Sequence, residues 1–184
     1  ADRAATAGAG SAVAPSGAPG DEMIRKLADR LASVDLLDRA ALLLEDQIQF
    51  RLTGVERARV GTRLATVYLL NRQPVEAAQA LEKTRADGMP RELDAQRRHL
   101  LARALVDQGR VPDAELLLDR DESTEADQLR AEIYWGQQDW VNAAKAFQKI
   151  VTQAGAVANK PLSEEQAQLV LNFAIAVTLS GNDR

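Results

Sequence analysis

A chain of 184 residues is one ordinary domain in length and long enough to bury a real core. Its hydrophobic content of 46 %, mostly Ala, Leu and Val with only 4 % aromatic residues, argues against an all-β domain and suits closely packed helices. A net charge of −4 with both signs plentiful argues against a dedicated nucleic-acid binder, and the lack of cysteine excludes thiol catalysis, disulfides and cysteine-based zinc sites.

Residues 1–20 are nearly all Ala, Gly, Ser and Pro and have almost nothing to bury. They read as a flexible linker, natural or an expression-vector remnant. There is no apolar stretch of signal-peptide type, and no run long enough to span a bilayer, so direct membrane insertion is not expected. Because the first residue is Ala, the chain is expected to be part of a larger protein, with a cytoplasmic or a periplasmic location both open.

From Asp21 onward a folded helical domain, residues 21–184, is expected. Ile24, Leu27, Ala28 and Leu31 share one helical face, and Leu37, Ala40, Ala41 and Leu44 mark a second stripe after the polar break at Ser33–Asp35. Thr53 with Glu56 reads as a capping box. Pro74 and Pro112 stand where helices begin, a position that tolerates proline. Gly88–Met89–Pro90 and Ala154–Pro161 read as loops. Asp119, Asp121 and Ser123 mimic the start of a calcium loop, but Thr124 and Arg130 occupy the places of its glycine and glutamate. That stretch is therefore a polar loop that supplies helix caps. Ser163 with Gln166 forms another capping box, and no segment alternates with period two.

The stripes repeat. From Ala28, Leu31, Ala40 and Leu44 follow at offsets 3, 12 and 16. The same offsets relate Ala65 to Tyr68, Ala77 and Leu81, then Ala102 to Leu105, Ala114 and Leu118, then Ala131 to Tyr134, Ala143 and Phe147. A fifth start stands at Phe173–Ala174 with Val177. One helix pair cannot bury its apolar face alone, whereas stacked pairs form a continuous core. The small Ala residues let the two helices of a pair cross closely, and the large residues fill the space between pairs.

The pattern resembles the tetratricopeptide repeat. Leu64–Ala65 and Tyr68 stand at that family's Leu-Gly and Tyr positions, with Ala77 and Leu81 at its Ala and Phe positions. Ala131, Tyr134, Ala143 and Phe147 match equally well. Asp35, Arg72, Gly109, Gln138 and Gly181 fall at the turn between paired helices. The family's Trp is missing throughout, its Gly is replaced by Ala, and Arg130 stands where Leu is usual. Residues 36–51, 54–70 and 125–140 are also similar in style to the C-terminal repeat regions of large alphaproteobacterial repeat proteins. The expected fold is all-α, a right-handed helical-repeat solenoid of about four helix pairs plus a final helix.

The resemblance implies a groove lined by the first helix of each pair. Carried onto this chain, its residues are Arg25, Asp29 and Ala32, then Thr62, Thr66 and Leu69, then His99, Arg103 and Val106. Gln128, Glu132 and Trp135 follow, then Leu171 and Ile175. Trp135 is either an interaction anchor or a cap on the contact between repeats. Trp140 is expected in the core. The basic faces Arg57, Arg59, Arg63 and Arg97, Arg98, Arg103 have no interleaved aromatic residues and read as solvated faces, so no nucleic-acid partner is expected. His99 has no partners at ligand spacing, and Gly8–Ala9–Gly10 follows no strand, so no metal, cofactor or catalytic site is expected. The function expected is that of a non-enzymatic scaffold or adaptor holding a protein segment. The alternatives are a self-assembly module, pairing through the apolar helix at 169–179, or a regulatory domain of a larger protein.

Overall fold

The apolar stripes fold as helices. The computed structural model describes residues 17–157 and 160–181, and these contain nine α-helices and no strand. The chain divides into two units, Ala1–Gly109 and Arg110–Arg184. The first holds α1 (Ala18–Ser33), α2 (Leu37–Phe50), α3 (Gly54–Leu70), α4 (Pro74–Lys83) and α5 (Arg91–Asp107). The second holds α6 (Val111–Leu118), α7 (Thr124–Gly136), α8 (Trp140–Gln153) and α9 (Glu164–Gly181). Within each unit every helix packs on its neighbours in the chain, and α3 also packs on α5.

Most of the expected linker lies outside the described residues, but its last three residues belong to α1, which starts at Ala18 rather than Asp21. Pro19 fits the first turn, where a missing N–H costs nothing, and Gly20 is buried. In α1 the buried residues are Gly20, Ile24 and Ala28, while Leu27, expected on the same stripe, is largely exposed. Gln47 Nε2 donates to the Asp21 carbonyl at 3.0 Å, and Arg51 Nε to Asp21 Oδ1 at 2.7 Å, which ties the start of α1 to the end of α2.

The repeated alanines carry the packing. Ala28, Ala40, Ala65, Ala77, Ala102, Ala114, Ala131 and Ala143 are all at most 1 % exposed. The large residues Leu44, Leu81, Leu105, Leu118 and Phe147 are buried as well, with Leu31, Tyr68 and Tyr134 partly so. The fifth start breaks the pattern. In α9 it is Ala176 that is buried, with Leu169 and Phe173 packed beside it, while Ala174 and Val177 are exposed. Among the described residues no helix follows α9 to face Ala174.

Four of the turns between helices share a left-handed residue. Asp35, Arg72, Gly109 and Gln138 all have positive φ, between 56° and 76°. In three of these turns the next residue's N–H reaches back five residues: Leu36 to the Leu31 carbonyl, Gln73 to Tyr68 and Asp139 to Tyr134. The left-handed residue itself bonds the carbonyl three before it. This is a Schellman stop, which satisfies carbonyls that the ending helix leaves open. Gly181, expected at a fifth such turn, is the last residue of α9 and the last described residue.

Caps set the helix starts. Ser163 and Gln166 form the reciprocal capping box, at 3.0 and 3.1 Å. Ser123 Oγ accepts from the Ala126 N–H at 3.3 Å, and Asp139 from the Asn142 N–H at 3.1 Å. Thr53 precedes α3, but its side chain accepts no cap bond, and Glu56 turns instead to Arg59 at 3.2 Å.

Two polar clusters are built into the units. In the first, Arg97 is 6 % exposed and not part of a solvated face. Its Nη1 donates to the Ala58 carbonyl at 2.7 Å and to Thr62 Oγ1 at 3.0 Å. Its Nη2 donates to the Leu81 carbonyl and, at 3.2 Å, to Thr84 Oγ1. Arg97 on α5 thereby joins α3 to the C-terminal end of α4. Gly61 makes that junction possible, because a Cβ there would overlap the Thr84 side chain. In the second unit the buried Asp127 accepts from Arg130 at 2.9 Å, Lys149 at 2.8 Å and Gln153 at 3.2 Å. Arg130 also donates to the Leu118 and Asp121 carbonyls, closing the loop between α6 and α7. This gives the side chain at the expected Leu position a structural task.

Candidate functional site

The residues expected to line a groove divide between the two units. In the first, helix periodicity puts Arg25 and Asp29 one turn apart on α1. Arg25 is partly buried and pairs with Glu22 at 2.9 Å, and that hydrogen bond holds the Glu22 carboxyl below its ordinary range. Arg25 also approaches Glu56 on α3 at 4.0 Å. Asp29 is exposed and accepts two hydrogen bonds from Arg63 on α3, with Nε to Oδ1 at 2.6 Å. The charges of this face are thus matched between α1 and α3 in a bidentate pair, the geometry in which a guanidinium holds a carboxylate best.

Thr62 does not belong to such a face. It is 3 % exposed, donates to the Ala58 carbonyl at 2.8 Å and accepts from Arg97. The close approach of the α4 end at Gly61 covers it, so a partner would meet other residues. Thr66, one turn on, is half-buried and donates to the Thr62 carbonyl at 3.1 Å. His99 and Arg103 on α5 are half-buried.

In the second unit Gln128, Glu132 and Trp135 lie on one face of α7 at the i, i+4, i+7 spacing. Gln128 and Glu132 are exposed, and Trp135 is partly exposed. The Trp135 ring meets Trp140 edge-on at 5.3 Å and Phe147 edge-on at 5.8 Å, and it packs beside the buried Ala131, Ala143 and Ile150. One side of the Trp135 ring is thus packed and the rest faces solvent. Trp140 is itself partly exposed rather than buried. On α9, Leu171 and Ile175 are exposed.

A cleft of about 740 Å³ lies between α2 and α4 with α3 beneath it, a place that sequence reasoning did not reach. Leu64, Ile48 and Ala80 supply its apolar floor, and Tyr68 stands among them. Glu45 and Asp46 come from α2, Glu76 from the first turn of α4, Arg57 from the start of α3 and Lys83 from the end of α4. A smaller cleft of about 380 Å³ shares Glu45, Tyr68 and Glu76 and adds Asp38. The Tyr68 hydroxyl donates to Glu45. Burial first, then that hydrogen bond and the charges of Glu45 and Glu76, push the phenol well above its ordinary pKa, so it stays a neutral donor. Asp46 Oδ2 is buried without a hydrogen-bond partner among the described residues. The signal missed was the charge on the outer faces of α2 and α4, which looks like ordinary solvated surface until the two helices are set side by side.

Among the described residues no three His, Asp or Glu side chains stand close enough to hold a metal ion, and no helix is long and apolar enough to cross a membrane. No protein family matches the chain, and no curated protein does.

Proposed function

We propose that the chain is a non-catalytic interaction module, a right-handed solenoid of tetratricopeptide-like repeats whose first helices hold a segment of a partner protein. The alanines buried at the same offsets four times along the chain, and the common left-handed turn, support the repeat reading. The observation that carries the binding reading is Trp135. Its ring is held edge-on by two aromatic neighbours, which removes rotamer freedom before binding, while part of it stays in solvent beside Gln128 and Glu132. Rigid, half-exposed aromatic side chains of this kind serve as interaction anchors.

Affinity capture from an extract of the source organism tests this. Wild type is compared with Trp135→Ala and Trp135→Phe, after circular dichroism shows all three folded. A protein retained by wild type, lost by the alanine variant and partly kept by the phenylalanine variant is the expected result. Equal retention by all three would contradict a site at Trp135.

A second reading is self-assembly through α9, favoured by its exposed Leu171, Ile175 and Val177. It predicts a dimer in sedimentation equilibrium that Leu171→Glu dissociates. A monomer at every concentration excludes it.

A further inference from the structure

The cleft between α2 and α4 is distinct from the first-helix surface on which the proposed function rests, and its charge is arranged along a line. Helix α3 runs beneath it, and the tight turn at Arg72 sends α4 back antiparallel. Glu76 on α4 therefore lies near the Tyr68 end of α3, and Lys83 lies near the Arg57 end. Glu45 joins Tyr68 through its hydrogen bond, and the adjoining smaller cleft adds Asp38 at that end. One end is thus acidic and the other basic. The floor between them is apolar.

We infer that this cleft receives a polypeptide segment that carries a lysine or arginine for the Glu45–Glu76 end and an acidic residue for the Arg57–Lys83 end. The inference rests on the reading of the chain as an interaction module and names the chemistry of a partner. The aliphatic stem of the basic side chain lies along Leu64 and Ala80, as long cationic side chains do when only the head needs water or a counter-charge. Its head meets two carboxylates, one of them already fixed by Tyr68. Asp46 adds to the negative potential on the α2 wall, where one carboxylate oxygen is buried without a donor. The opposite charges at the two ends set the direction in which the segment lies. Arg57 and Tyr68 are separated by three helical turns, about 16 Å along α3. An extended chain covers that distance in about five residues. The recognised pattern is therefore a basic and an acidic residue about five apart, with apolar residues between. A segment lacking either charge would leave one end of the cleft desolvated and unmatched, which is how such a surface discriminates.

The test is selection from a random peptide library displayed on phage, panned on the full chain, followed by binding of the enriched peptides to three proteins. These are wild type, the double variant Glu45→Gln/Glu76→Gln and Trp135→Ala, each shown folded by circular dichroism. The expected result is enriched peptides with the basic–acidic spacing above, at least tenfold weaker binding to the double variant, weakening by added salt, and unchanged binding to Trp135→Ala. Enriched peptides without a basic residue, or bound equally by the double variant, would overturn the assignment. Peptides lost only on Trp135→Ala overturn it too and leave the interaction reading standing, whereas no enrichment on any protein counts against both.

Discussion

A guanidinium drawn out of water needs acceptors for its donors, and Arg97 finds four oxygens, none of them a carboxylate. Burial lowers its pKa, and the charge of Asp94 only partly opposes this. Two of the acceptors lie at the C-terminal end of α4, where carbonyls lack helical partners and the helix dipole favours a cation. Replacing Arg97 by Ala removes these bonds and leaves a void between three helices. Urea denaturation should show a loss of about 3 kcal/mol. Lysine should restore only part of it, because one ammonium cannot fork between α3 and α4. An unchanged midpoint in Arg97→Ala would show that the cluster contributes nothing net.

Tyr68 gives a pH signature at the same scale. Its pKa in the fold is raised above the ordinary value of 10.0, so the folded chain holds the phenolic proton more tightly than the unfolded one. Between those two values the folded state binds more protons, and stability must fall as pH rises. The contribution of Tyr68 is fully present below its unfolded pKa and is lost as pH climbs above it. Tyr68→Phe should therefore flatten the alkaline fall in the denaturation midpoint. An equally steep fall in the variant would place its origin elsewhere.

At the scale of elements, the turns are the most regular feature. A left-handed residue other than glycine is strained by its Cβ, and Asp35, Arg72 and Gln138 accept that strain because the Schellman bonds demand the conformation. Arg72→Gly removes the strain and should raise stability by about 1 kcal/mol, less the added freedom of the unfolded chain. A lower melting temperature in this variant would mean that the Arg72 side chain contributes more than its backbone costs. These turns were legible through the resemblance to the tetratricopeptide repeat, whose turn falls between two of the recurring alanines. The start of α3 was less so. Thr53 has the residue type of a cap, but Gly54 follows it with positive φ, and no cap bond to the Thr53 side chain forms.

For the whole molecule, spacing revealed what repeats and left open what is particular. The eight buried alanines, the helices and the Ser163–Gln166 box all follow from local rules that a sequence displays. Arg97 was misplaced because arginine usually sits at the surface, whereas Thr62 was set on the groove by the resemblance alone and is buried beneath Arg97. Gly61, in mid-helix, was the one residue that hinted at the approach of α4. The cleft between α2 and α4 was invisible for a similar reason: it belongs to two helices that are neither adjacent in the chain nor unusual alone.

The central claim, that the first-helix face holds a partner segment, is tested most directly by photo-crosslinking in cells of the source organism. A crosslinking amino acid is placed at Gln128, exposed on the Trp135 face of α7, and in a control at Gln148, exposed on α8. Binding at this face predicts a discrete protein adduct from position 128, its loss when Trp135→Ala is added, and no such adduct from position 148. No adduct from position 128, or one that Trp135→Ala leaves intact, would contradict it.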